Sequence, residues 1–175
     1  MTRLAYRGFS LFEFVVVIVV IAILSGLLLT RVLPLLAQAE HVAFLRTKQD
    51  VQSALLLEAA ERIVRGESET LIDLTGINPI ELLLEPPGNY VGSEFNYANE
   101  GAPRRSWYFD GEQGILIYRP GRYSGFVSGD AADDRIEMRV SFVYRDRDGD
   151  GSFNASVDHF DGLKFESAHP YSWAP

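Results

Sequence analysis

Acidic side chains occur at two places in this sequence where a carboxylate needs a cation. One is Glu13, the only charged residue in an apolar run at 9–29. The other is the loop at 146–158, where aspartates alternate with other residues. A carboxylate in lipid costs roughly 2–4 kcal/mol, and clustered carboxylates repel one another without a cation. Glu13 therefore predicts an ion pair made during assembly, and the loop predicts a metal site.

The apolar run predicts a membrane-spanning helix that positions Glu13. A helix over 9–29 is about 31 Å long, which is enough to cross the hydrocarbon core of a bilayer. Arg3 and Arg7 precede it, so the positive-inside rule places the N-terminus in the cytoplasm.

Two other interpretations of this segment stay open. Ala37-Gln38-Ala39 has the small residues of a signal-peptidase site, which would make the segment a cleaved signal. Its apolar run is longer than usual for a signal, Arg31 and Pro34 separate it from the site, and it contains Glu13. A plain signal-anchor helix is the second alternative.

The residues Arg7-Gly8-Phe9-Ser10-Leu11-Phe12-Glu13 resemble the prepilin cleavage motif of type IV pilins and type II secretion pseudopilins. The resemblance implies that a prepilin peptidase cuts between Gly8 and Phe9, and that Phe9 is then N-methylated. It also implies that Glu13 is the glutamate at the fifth mature position. Ser10-Leu11 differs conservatively from the commoner Thr-Leu pair.

The resemblance also implies the partners and the location of the protein. The subunit would begin as a single-pass protein of the inner membrane, with a cytoplasmic N-terminus and a periplasmic head. It would then polymerise with other pilin or pseudopilin subunits. Glu13 would pair with the amine freed at Phe9 of a neighbouring subunit, which removes two stranded charges and fixes the axial register.

The expected fold class is α+β, with a long N-terminal helix packed on a C-terminal antiparallel sheet, as in pilins. We expect Pro34 to kink the helix and Gly66 to end it. The predicted apolar stripe of the second half of the helix is Leu36, Ala39, Ala43, Val51, Leu55 and Ile63. The predicted segments are a leader at 1–8, a transmembrane helix at 9–34, an amphipathic helix at 35–65 and a head at 66–175.

Within the head, alternation of apolar and polar residues predicts three strands. They are Ser106–Asp110, Ile115–Arg119 and Arg135–Arg145, each with one packed and one solvated face. The first two form a hairpin that resembles minor or MSHA-type pilin sequences. A loop with a short helical piece at 79–84 is expected over 66–90.

The acidic loop matches the first half of a calcium loop, D-x-D-x-D-G, but Val157 stands where an EF-hand has its bidentate acid. Major pseudopilins are similar in holding calcium in a C-terminal loop. A solvated acidic turn is the alternative interpretation. The candidate Ca²⁺ ligands are Asp146, Asp148, Asp150, the Ser152 carbonyl and Asp158.

Composition disfavours several other functions. The net charge of −8 repels phosphate backbones, so no nucleic-acid partner is expected. The chain contains no cysteine, which excludes disulfides and thiolate metal sites. No catalytic constellation or organic cofactor motif is found, so an enzyme is not expected. A secreted or anchored calcium-binding module with an ordinary signal remains the alternative from another class.

Overall fold

A computed structural model describes residues 9–93, 101–129 and 134–173 of the chain. It has an α+β layout, with a long apolar N-terminal helix followed by an antiparallel sheet. The chain divides into two compact units, Met1–Leu36 and Ala37–Pro175. Gly8 lies outside the described residues, so the structure does not describe the predicted leader.

Helix α1 comprises Leu11–Val64. Its N-terminal part is apolar on all sides, and its large side chains up to Leu29 are exposed. Pro34 lies inside the helix and does not end it. Among the described residues, α1 is the one helix that is long and apolar enough to cross a membrane or to serve as a signal sequence.

In the second unit, α1 buries a stripe that differs from the predicted one. The sequence prediction was right for Val51 and Leu55 and wrong for Leu36, Ala39, Ala43 and Ile63, which are exposed. The reason is Glu40, which the pattern assigned to the polar side although its carboxylate is buried and paired. The buried residues of α1 are Ala37, Glu40, Phe44, Val51, Leu55 and Ala59.

The C-terminal end of α1 is closed by backbone hydrogen bonds around Gly66. The Gly66 N–H donates to the Ile63 carbonyl at 3.0 Å, and the Glu67 N–H donates to the Arg62 carbonyl at 2.8 Å. Gly66 has φ +77°, which a glycine adopts without strain. The predicted C-cap is therefore confirmed.

Two 3₁₀ helices replace most of the predicted loop between the helix and the sheet. They comprise Ser68–Thr75 and Pro79–Leu82, so the helical piece predicted at 79–84 exists in shorter form. The first was missed because its three-residue repeat is too short to show as periodicity. Together the two helices bury Leu71, Leu74, Pro79 and Ile80 against the core.

Six strands follow in the described part of the chain. They are β1 Ser106–Asp110, β2 Ile115–Arg119, β3 Phe126–Ser128, β4 Ile136–Arg145, β5 His159–Ser167 and β6 Tyr171–Trp173. The main sheet is antiparallel with the order β1-β2-β4-β5, and β3 pairs with β6 in a separate small sheet.

The predicted hairpin is confirmed with its bounds, but its exposure is not as expected. Asp110 closes the turn by accepting hydrogen bonds from the backbone N–H groups of Glu112 and Gln113 at 2.9 and 3.0 Å. Both faces of the hairpin are buried, because Tyr108 and Ile117 pack with Ala102 on the side away from the main core. The prediction of one solvated face was therefore wrong for β1 and β2.

The main core lies between α1 and the inner face of the sheet. Phe44 of the helix stacks on Trp107 of β1, with ring centroids 5.2 Å apart and an interplanar angle of 6°. Around this pair the core contains Val51, Leu55, Leu71, Leu74, Leu116, Tyr118, Ile136, Met138, Leu163 and Phe165.

Candidate functional site

Glu13 lies in the first turn of α1, one turn after the residue that caps the helix. The Glu13 backbone N–H donates to Ser10 Oγ at 3.2 Å, and the Phe14 N–H donates to the Ser10 carbonyl at 3.1 Å. Ser-x-x-Glu is the spacing of a capping box, in which the glutamate also serves the helix start. A negative charge at this end is further favoured by the helix dipole. The sequence interpretation missed this role.

The predicted cleavage and methylation residue, Phe9, is exposed and immediately precedes the capping serine. Only one residue separates Phe9 from the helix, so a new amine created there would lie close to the first turn of α1. Gly8, on the other side of the predicted cleavage bond, lies outside the described residues.

A second exposed apolar surface lies on α1 within the second unit, and we call it the outer stripe. Its members are spaced by three, four and seven residues and so share one face of the helix. Its apolar members are exposed, Val42 to 65%, and the exposed Arg46 lies at its edge. The outer stripe consists of Val42, Leu45, Gln49, Leu56, Ala60 and Ile63.

In the acidic loop the structure brings three of the five predicted calcium ligands together. Asp146, Asp148 and Asp158 each offer a carboxylate oxygen, and these oxygens lie within 4.8 Å of one another. Among the predicted carboxylate ligands, Asp150 is not part of this group. The Asp150 Oδ1 atom instead accepts a hydrogen bond from the Ser152 backbone N–H at 2.7 Å.

Backbone N–H groups hold two of these carboxylates in place. Asp146 accepts from Gly149 and Gly151 at 2.6 and 2.9 Å, and this lowers the pKa of its carboxyl group. Asp158 accepts from the N–H groups of Arg147 and Asn154 at 2.9 and 2.8 Å. The geometry of the loop is therefore fixed by its own backbone.

Asp148 is the least satisfied of the three acids. It accepts one long backbone hydrogen bond, 3.4 Å from the Asp150 N–H, and its carboxyl group also meets that of Asp146. Partial desolvation raises the pKa of the Asp148 carboxyl group, and the negative charges of Asp150 and Asp158 raise it further. A cation beside Asp148 would offset both effects.

An aromatic cluster anchors the acidic loop to the sheet. The Phe153 ring, inside the loop, packs edge-on against Phe142 and Tyr144 of β4, with centroid distances of 4.8 and 5.5 Å. Phe160 of β5 completes the cluster, 5.2 Å from Phe142. The loop is thus packed on the sheet at its middle.

A buried carboxylate joins α1 to the hairpin. Glu40 is only 4% exposed at its side chain, and its Oε1 atom accepts from the Tyr118 hydroxyl at 3.1 Å and from the Gly121 N–H at 2.7 Å. Its Oε2 atom accepts from Arg105 Nε at 2.8 Å. Burial, followed by the negative charge of Glu40, raises the pKa of the Tyr118 hydroxyl.

Gly121 is needed where it stands in this cluster. A Cβ atom there would lie 2.6 Å from Glu40 Oε2 and 2.9 Å from Arg105 Nε, which is closer than real Cβ contacts. No local sequence pattern indicates this cluster, because Glu40 lies 65 to 81 residues from its partners along the chain.

The described histidines show no common centre. His41 stacks on Trp173 with a centroid distance of 4.9 Å, while His159 lies 3.6 Å from Asp161 and His169 lies 3.6 Å from Glu137. Each therefore has its own neighbour in the head.

In comparisons with known proteins, no family model, no curated protein and no solved structure matches this chain.

Proposed function

We propose that this protein is a structural subunit of a type IV pilus or a pilus-like filament, polymerising through α1. The observation that carries the proposal is Glu13 in the first turn of a helix that carries no other charge from Leu11 to Leu29. In a plain anchor such a carboxylate opposes insertion into lipid, at a cost larger than its contribution to the helix start. It has a use if a cation meets it when subunits assemble.

The processing that creates this cation follows from the resemblance of residues 7–13 to the prepilin motif. A prepilin peptidase removes residues 1–8, and the new amine is methylated at Phe9. Before assembly the subunit spans the inner membrane once, with its N-terminus in the cytoplasm and its head in the periplasm. The amine of one subunit then pairs with Glu13 of another.

The outer stripe favours a filament subunit over a protein that is anchored singly in the membrane. Val42, Leu45 and Leu56 are exposed on one face of α1, and a row of exposed apolar side chains is typical of an interaction surface. In a filament the helices of other subunits cover such a face. The stripe therefore extends the self-association surface into the second unit.

The mature N-terminus tests the proposal directly. We expect mass spectrometry of the chain, expressed with a prepilin peptidase, to find a polypeptide that begins at Phe9 and carries one added methyl group. A Phe9 start requires cleavage after Gly8, which neither a signal peptidase nor an uncleaved anchor produces. A chain that begins at Glu40 would instead show cleavage after Ala39 and support the secreted module, and an intact Met1 would support a plain anchor.

Within the filament class, the acidic loop favours a type II secretion pseudopilin with a calcium-binding loop. The supporting observation is the group of Asp146, Asp148 and Asp158, whose carboxylate oxygens lie within 4.8 Å of one another. Oxygen ligands from carboxylates are those that Ca²⁺ prefers. The ion would take the place of a disulfide in a chain without cysteine.

Calcium is expected to raise the melting temperature of the purified chain by several degrees, because an ion that binds only the folded loop stabilises it by mass action. Asp148→Asn should remove most of this increase. Its amide oxygen can keep the long hydrogen bond from Asp150, so the loop stays folded while one charge is lost. Asp110→Asn, in the hairpin turn, is the matched control.

The melting temperatures distinguish a bound ion from a solvated acidic turn. A calcium-dependent increase that Asp148→Asn abolishes and Asp110→Asn retains supports an ion in the loop. No change of melting temperature with Ca²⁺ in the unmodified chain would leave the loop as a solvated acidic turn.

A further inference from the structure

An open groove lies in the second unit, between α1 and the segment that follows the second 3₁₀ helix. Its volume is about 410 Å³, and the surface that lines it is mostly apolar. All of its residues belong to the second unit, so the groove is a feature of the head alone. The α1 wall includes Ala43, Arg46 and Asp50, and the opposite wall includes Leu84, Glu85 and Pro87.

Leu84 projects from the second wall into water. Its side chain is fully exposed, although the backbone on both sides of it is held in place. The half-buried Leu83 packs against the main core, and its N–H donates to the Ile80 carbonyl at 3.1 Å. The Pro87 carbonyl accepts from the Tyr90 N–H at 2.8 Å, and the two prolines at 86–87 restrict the backbone further. An apolar side chain is therefore presented to solvent from a fixed position.

The outer stripe and the groove lie on different faces of α1. At 3.6 residues per turn, the groove positions of the helix are centred about 120° around the axis from the centre of the stripe. The stripe of one copy therefore does not lie in the groove of that same copy. A contact between the stripe of one copy and the groove of another leaves one stripe and one groove free, so further copies can be added. The two surfaces form the kind of head-to-tail pair that a filament requires.

The charges beside the two surfaces are complementary. By helical position, the basic residues Arg46 and Lys48 flank the outer stripe, one on each side. Asp50 and Glu85 are exposed acids on the two walls of the groove. Arg46 lies 3.9 Å from Asp50 within one copy, but both side chains are more than half exposed, so this ion pair contributes little and leaves Asp50 available to a second copy. A stripe that enters the groove thus brings positive charges to negative ones.

We propose that this groove receives the outer stripe of a second copy, with Leu84 packing over the apolar side chains of that stripe. The contact removes two exposed apolar surfaces from water at once, the stripe at Val42 and Leu45 and the groove wall at Leu84. It rests on the proposed filament function and names the surface that covers the outer stripe there. The pairing of Glu13 with Phe9 is a different contact, so the two can fail separately.

Disulfide formation between two copies tests the contact, because the chain has no cysteine of its own. Leu45→Cys, in the stripe, and Leu84→Cys, in the groove wall, are placed in two full-length chains with different tags, which are co-expressed with a prepilin peptidase. We expect oxidation of the membranes to give at least fivefold more of this mixed disulfide than Leu45→Cys gives with Val127→Cys. Val127 is 58% exposed in the small sheet and belongs to neither surface.

Leu84→Ser measures how much the groove wall contributes to assembly. Because the side chain is fully exposed, the melting temperature of the chain should not change. We expect the yield of filaments, relative to the subunit in the membrane fraction, to fall at least threefold, since the apolar side chain no longer covers the stripe. Val127→Ser removes another exposed apolar side chain and is the matched control.

The disulfide and the filaments distinguish failure of the groove contact from failure of the filament function. An unchanged filament yield from Leu84→Ser, together with equal amounts of the mixed and control disulfides, would overturn the groove contact and leave the filament assignment intact. An excess of the mixed disulfide in membranes that contain no filaments and no chain beginning at Phe9 would support the contact between heads and contradict the filament function. The absence of both filaments and excess disulfide would contradict both.

Discussion

Glu13→Gln is expected to reduce the yield of filaments at least tenfold while leaving the protein in the membrane. Glutamine has nearly the same size as glutamate and also serves at this position of a capping box, so the start of α1 is preserved. The variant lacks the negative charge that pairs with the amine at Phe9. Because that amine would then be buried without a partner, the free energy of subunit association becomes much less favourable.

Filament yield by electron microscopy and by shearing, compared with the amount of subunit in the membrane fraction, measures the effect. Ser10→Ala is the control for the helix start. It removes the side chain that accepts from the Glu13 N–H and costs about 1 kcal/mol of helix stability, but it leaves the charge in place. Normal filaments from Glu13→Gln would contradict the proposed role of Glu13 and with it the filament assignment.

The strands that could be predicted from the sequence are those whose alternation is local and uninterrupted. β1 and β2 have the predicted bounds, and β4 begins at Ile136, one residue later than expected. Each is a run of five or more residues in which every second side chain is large and apolar. A period of two in such a run is sufficient to identify a strand.

β5 was missed because its pattern changes phase in the middle. Leu163 and Phe165 alternate with charged residues, but Phe160 stands on the other parity and Gly162 separates them. Gly162 has φ +145°, and the register with β4 shifts between Val143 and Tyr144. A bulge therefore divides the strand into two short patterns, neither of which is distinctive alone.

The candidate site was predictable to the extent that its members are neighbours in sequence. The motif around Glu13 and the acidic loop were singled out from contiguous residues, and the structure brings Asp146, Asp148 and Asp158 of that loop together. Glu40 and Gln52 carry no local signal, because their hydrogen-bond partners in the sheet lie 65 or more residues away. Side chains of this kind become apparent only when the partner strands are placed.

Glu40 is the polar residue whose loss is expected to affect the stability of the head most. Glu40→Leu removes the acceptor of the buried Tyr118 hydroxyl and of the half-buried Gly121 N–H. An unsatisfied buried donor costs about 1–3 kcal/mol, so we expect the free energy of unfolding to fall by about 3 kcal/mol. Arg105 is half exposed and can be hydrated, so its loss of a partner adds little.

Glu40→Gln measures the contribution of the negative charge to stability separately from that of the hydrogen bonds. Its amide oxygen can still accept from Tyr118 and Gly121, while its amide nitrogen faces Arg105, so a smaller loss of about 1 kcal/mol is expected. Trp107 and Trp173 both lie in the head, so urea unfolding followed by tryptophan fluorescence measures these values. Glu61→Leu, at an exposed position of the same helix, is the control. Equal losses for leucine and glutamine at position 40 would show that the ion pair with Arg105, and not the two hydrogen bonds, holds α1 to the hairpin.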